Sequence, residues 1–187
     1  MRLFTLEHGK LAYRADFVLY GFASAGLAAL LVFSGPPALR LEMAGAAMIG
    51  LTSWTLMEYL LHRFVLHGLP PFSTWHAEHH QRPVALICTP TLLSATLIAT
   101  LVFGPTLAIF GVWLAAGVTL GILTGYLAYT VTHHATHHWR AANTWTRQRK
   151  RWHALHHGPN KYPGHYGVTS GFWDYVFGSA NPTLRRD

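Results

Sequence analysis

Residues 54–80 read WTLMEYLLHRFVLHGLPPFSTWHAEHH. An apolar run enters this stretch and a set of histidines leaves it. The run is the last part of an apolar segment at 43–66, long enough to cover the roughly 20 residues a helix needs to cross a bilayer. Its C-terminal part carries Glu58, His62 and Arg63. Upstream, residues 17–34 (FVLYGFASAGLAALLVFS) hold no charge and stop at Pro36-Pro37, which marks the first span. Residues 85–103 and 106–131 supply a third and a fourth, separated by the helix breaker Gly104-Pro105. The expected fold is an all-α integral membrane protein: four transmembrane helices and a cytoplasmic, helical, histidine-rich cap formed with residues 132–187.

Composition agrees with that class. Hydrophobic residues make up 51% of the 187, and charged residues only 11%, against the roughly 25% of soluble domains. No linker or composition break suggests a second domain, so the expectation is a single domain over 1–187. The one cysteine, Cys88, cannot form an intrachain disulfide. The net charge of +7 comes without any nucleic-acid fold signature. A membrane protein has another use for it, because Lys and Arg collect on the cytoplasmic side of short loops. With four spans, Arg40 alone falls on one side and the other thirteen of the fourteen Lys and Arg fall on the side that holds both termini. The histidines share the basic side, which is therefore read as cytoplasmic. That means the inner or plasma membrane of a bacterium, or the endoplasmic reticulum of a eukaryote.

Fourteen histidines equal Lys and Arg combined. Twelve of them form four groups, HRFVLH at 62–67, HAEHH at 76–80, THHATHH at 132–138 and WHALHH at 152–157, while His8 and His165 stand apart. Positions i, i+3 and i+4 share a helix face, so His76, His79 and His80 converge, as do His153, His156 and His157; His133 and His137 share a face as well. His62 and His67 are five apart, roughly 140° around an ideal helix. They converge only if the helix end unwinds, and the expectation is that each serves a different metal.

A lone histidine is ordinarily an interfacial or core residue. Repeated HxxHH sets on one side of a membrane instead read as a metal site, since neutral imidazole ligates Zn, Fe, Cu and Ni. One tetrahedral zinc needs about four ligands, so ten candidates point to two metals. The Glu-x-x-His pairs of ferritin-like bundles and the HExxH motif of zinc proteases are both missing. Ligating imidazoles also need a partner on the other ring nitrogen. Glu58, four residues before His62, is one candidate; Asp174 either orients a C-terminal histidine or pairs with Arg151.

From WTLMEYLLHRFVLHG through WHAEHH and YTVTHHATHH to RWHALHHGPNKYPGHYGVTSGFWDYVFGS, about residues 54–179, the chain resembles the fatty acid hydroxylase and sterol desaturase superfamily of membrane di-iron enzymes. It is most similar to the catalytic domain of fatty acid 2-hydroxylases, and the tail GVTSGFWDYVFGS points to that branch. The resemblance implies the metal ligands His62, His67, His76, His79, His80, His133, His137, His153, His156 and His157. THHATHH can also be read with His134 and His138 as its pair, and Thr132-His133 favours the first reading. The resemblance further implies two iron ions, for which zinc could substitute in a purified sample, with O2 as co-substrate and electrons from a separate donor (cytochrome b5, a ferredoxin or a reductase). No cytochrome b5 domain is present in these 187 residues. Zinc has no redox chemistry and cannot drive such an oxidation.

The implied reaction is hydroxylation of a lipid C–H bond, foremost at the 2-position of a fatty acyl chain, free or in a sphingolipid-like lipid. A sterol or carotenoid substrate is the alternative within the same chemistry. A histidine-rich metal transporter or sensor is the alternative of a different class, and it predicts ligands near mid-membrane. The stretch WRAANTWTRQRKRW at 139–152 reads as an interfacial helix, with Trp at headgroup level and its cations on phosphates or a reductase.

Overall fold

The computed structural model describes residues 7–158 and 164–180. The helices are α1 (Lys10–Ser34), α2 (Arg40–Leu60), α3 (Phe72–Gln81), α4 (Thr91–Ile98), α5 (Gly104–His138), α6 (Thr144–His156) and α7 (Phe172–Val176). A 3₁₀ turn at Pro37–Leu39 precedes α2, and π-helical turns follow α2 (Leu61–Leu66) and α4 (Ala99–Phe103). Among the described residues there is no strand, only one isolated bridge between Glu7 and Ile87. The turn expected at 158–164 lies, from 159 to 163, outside the described residues.

The chain divides into two compact units, Met1–Trp54 with Leu86–Leu127, and Thr55–Ala85 with Ala128–Asp187. In the first, close backbone approach rather than large side chains sets the packing. A Cβ on Gly121 would lie 2.1 Å from the Ala47 carbonyl oxygen, and one on Gly50 would lie 2.2 Å from that of Val118. Gly117, Gly121 and Gly125 recur every four residues on α5, the small-xxx-small spacing that lets apolar helices touch through their backbones. Gly125 leaves room for Trp54, whose ring meets Tyr126 edge-on at 5.4 Å. Hydroxyls tie α1 to α4. Thr91 Oγ1 donates to Asp16 Oδ1 at 2.6 Å, and the Tyr20 and Ser94 hydroxyls are 2.7 Å apart.

Among the described residues two helical stretches are long and apolar enough to cross a membrane, Lys10–Ser34 and Thr91–His138. The expected break at Gly104-Pro105 does not occur there. The π turn before it lets Gly104 N–H bond to Ala99 five residues back, so winding continues through Pro105, which has no N–H to place in the ladder. The interruption comes at Gly111, where φ is 77° and ψ is 172°, a conformation only glycine adopts freely.

Candidate metal centre

The second unit gathers every histidine-rich motif. Two sets of five side chains have ligand atoms within 4.8 Å of one another: His62, His67, His76, His80 and His156 form one, and His79, His133, His137, His153 and His157 the other. The split follows helix geometry. In each HxxHH motif the i, i+4 pair stays together, His76 with His80 and His153 with His157, while the i+3 histidine crosses to the other set. Each set therefore holds one such pair, the middle histidine of the other motif, and a pair from the end of a long helix.

His133 and His137 are the long-helix pair of the second set, four apart at the end of α5. His62 and His67 supply the first set, although five residues separate them. Here the structure departs from expectation: the two do not go to different sets. The π turn over Leu61–Leu66 bonds i to i+5, and that winding brings positions five apart onto one side. His134 and His138 stay outside both sets and stack on each other at 4.5 Å. His165 also lies outside them, at φ 57°, with its ring over Trp152.

Within the first set, Nε2 atoms face one another. The separations are 3.0 Å for His62–His76, His76–His80 and His67–His156, and 3.1 Å for His80–His156. Two of the outward nitrogens are committed elsewhere: His62 Nδ1 donates to the Tyr166 carbonyl at 2.5 Å, and His156 Nδ1 to that of Gly164 at 2.8 Å. An imidazole that donates through Nδ1 presents a lone pair at Nε2. His62 and His156 thus turn Nε2 lone pairs toward the other rings of the set, and the geometry fits a metal among them. In the second set His137 and His153 bring their Nε2 atoms to 2.7 Å. Both nitrogens of His79, a residue 4% exposed, find no hydrogen-bond partner among the described residues.

Electrostatics keeps these rings in the ligating, neutral form. Burial, then neighbouring imidazoles, lowers His67 to about 4 and His79 and His157 to about 3. His76, His153 and His156 are pushed down for the same reasons.

The two carboxylates act one step further out than expected. Glu58 Oε1 accepts from the backbone N–H of Val168 at 2.6 Å and Thr169 at 2.9 Å, and Oε2 accepts from the Thr169 hydroxyl. His62, whose partner Glu58 was expected to be, bonds Tyr166 instead. Asp174, fully buried, accepts from the N–H of Tyr166 and Gly167 and from the Ser179 hydroxyl, at 2.9, 2.8 and 2.7 Å. Among the described residues it makes no hydrogen bond to a histidine side chain. The buried cation whose charge acts on both carboxylates is Arg149, not Arg151, and its guanidinium lies 4.1 Å from the Trp152 ring centre. Both carboxylates thus clamp the loop whose carbonyls hold His62 and His156. Sequence reasoning missed Tyr166 and Gly164 because a backbone carbonyl has no residue signature; Gly167, with no room for a Cβ beside the Ser170 carbonyl, was the available hint.

The fatty acid hydroxylase family model matches residues 47–179, which contain both histidine sets. This chain belongs to that family. It is 34% identical over 148 residues to the ceramide very long chain fatty acid hydroxylase of Schizosaccharomyces pombe, covering 72% of this chain and 42% of the relative. A dihydroceramide fatty acyl 2-hydroxylase of Arabidopsis thaliana is 32% identical over 162 residues, covering 76% and 63%. The chain thus spans less than two thirds of the length of these relatives. A solved structure of full-length scs7p, in which only the hydroxylase domain is visible, superposes with a TM-score of 0.74 at 26% identity, covering 90% of this chain and 66% of that one.

Proposed function

We propose that this protein is an integral-membrane lipid hydroxylase that uses iron and O2 to oxidise the 2-position of a fatty acyl chain, free or within a sphingolipid-like lipid. The observation that carries the metal part is the pair of five-histidine sets, with Nε2 lone pairs turned inward and Nδ1 protons bonded outward at His62 and His156. The relatives' names, which specify ceramide and fatty acyl 2-hydroxylation, support the substrate part.

The donor set fits two metal ions, one per set. Five neutral imidazoles exceed the four ligands of a structural zinc site and suit iron. Bound iron would supply the redox chemistry with O2 that no side chain can supply. The protein's own part is to hold the His62 and His156 rings by their outer nitrogens, through the Tyr166 and Gly164 carbonyls, and to hold that loop through Glu58 and Asp174. Such outer contacts orient a ligand and raise its basicity. Burial keeps the rings unprotonated, so metal and not a proton takes the lone pairs.

Four crossings remain the proposed topology. The stretch Thr91–His138 has 48 residues, about 70 Å of helix and more than twice a bilayer core, so the Gly111 break divides it into two crossings. The charge bias supports histidines on the cytoplasmic side. Electrons come from a separate donor such as cytochrome b5, a ferredoxin or a reductase.

The test is lipid mass spectrometry of cells with and without the gene. Loss of acyl species heavier by one oxygen, with the hydroxyl mapped to carbon 2, is the expected result. Loss of a hydroxylated sterol or carotenoid instead would move the substrate, and purified protein free of iron with no donor-dependent turnover would overturn the reading.

A further inference from the structure

Helices α1, α2 and α5 leave a groove of about 450 Å³ within the first unit, lined by Ala28, Val32, Ala44, Ala47 and Leu120 with Arg40 at its rim. That volume is in the range of small-molecule and lipid sites. Leu31 and Met43, which also line it, pack with Ala116, and Trp113 lies against them. The groove has a direction. Arg40, Ala44 and Ala47 fall at i, i+4 and i+7 on α2, one stripe about 10 Å long with the cation at its start. Val32 and Ala28 follow one turn apart on α1, leading away from the Pro36-Pro37 link.

Arg40 is unusual in two ways. It is the sole Lys or Arg between residues 15 and 62, so nothing else on this apolar segment offers positive charge. It also stands in the first turn of the 21-residue α2, where the helix dipole favours an anion and disfavours a cation, so its placement does not serve the helix. Glu42, the acid in the same turn, points roughly 200° away around the helix. A cation and a helix start at one end of an uncharged trough match an anionic head joined to a hydrocarbon tail.

We propose that this groove binds one acyl chain of an anionic phospholipid from the surrounding bilayer, with the phosphate held by Arg40 at the start of α2. The groove shares no residue with the histidine sets and rests on the proposed function only in that the protein resides in a membrane. Its occupant is a structural lipid, not the substrate.

Full-length protein in neutral detergent, washed with an equimolar mixture of phosphatidylglycerol and phosphatidylcholine, tests this by mass spectrometry of the retained lipid. Wild type is expected to enrich phosphatidylglycerol about fivefold, the scale of one basic side chain on an anionic lipid. Arg40→Gln should bring the ratio near one and Arg40→Lys should keep most of it. Ala44→Trp, which fills the trough, should lower retention of both lipids. Arg40 is exposed, so its variants keep the fold. Equal retention by wild type and Arg40→Gln would overturn the proposal. So would a dimer that excludes lipid from the groove, or displacement of phosphatidylglycerol by equimolar oleate. The readout needs neither iron nor turnover, so its failure and the failure of the hydroxylase reading are distinguishable.

Discussion

The Tyr166 carbonyl oxygen lies 2.5 Å from His62 Nδ1, while the same residue's N–H donates to Asp174 at 2.9 Å. A carboxylate on α7 therefore positions an imidazole that it does not touch, through one residue's backbone.

Asp174→Asn tests that relay. The amide keeps the size but replaces one acceptor oxygen with a donor, opposite three groups that all donate to Asp174. Bound metal should weaken by roughly 10- to 100-fold, as for other contacts that orient ligands. Metal analysis after dialysis against a chelator measures this, and wild-type retention would remove Asp174 from the relay.

The neighbouring histidine pairs of THHATHH separate in the same assay. His133→Ala and His137→Ala should each deplete metal and abolish hydroxylation, as should His156→Ala, with membrane insertion intact. His134→Ala and His138→Ala should stay within about twofold of wild type, because neither ring belongs to a set. Loss of metal on replacing His138 would reverse the assignment.

Acid should strip metal and then unfold the second unit. The folded values of His67, His79 and His157 (about 4, 3 and 3) lie below an unfolded histidine near 6.5, so the unfolded chain binds more protons between them. Stability of the metal-free protein is therefore fully present above about pH 6.5 and falls as pH drops towards 3. A melting series across that window checks the slope; a melting temperature that rises on acidification would contradict it.

Gly121→Val addresses the first unit alone. A side chain there meets the Ala47 carbonyl oxygen, against which nothing can yield but backbone. Destabilisation of about 1–3 kcal/mol is expected from overpacking. Thermal unfolding in detergent reads it, and an unchanged midpoint would mean that α2 and α5 do not pack through glycine.

Much of this protein was legible in its sequence. Uncharged runs mark the apolar helices because length and hydropathy are local properties, and HxxHH marks converging imidazoles because α-helical periodicity is local too. GVTSGFWDYVFGS was legible only as a family resemblance. In the structure Gly167, Thr169 and Asp174 of that tail fold the loop that carries the Tyr166 carbonyl. Tertiary structure alone decided three things. It wound Leu61–Leu66 as a π turn, so that His62 and His67 joined one set. It sent His79 and His156 away from their own motif partners, and it turned Glu58 and Asp174 from imidazole partners into clamps on a backbone loop. Each of these depends on groups distant in the chain meeting in space, where a backbone carbonyl can do what a side chain was expected to do.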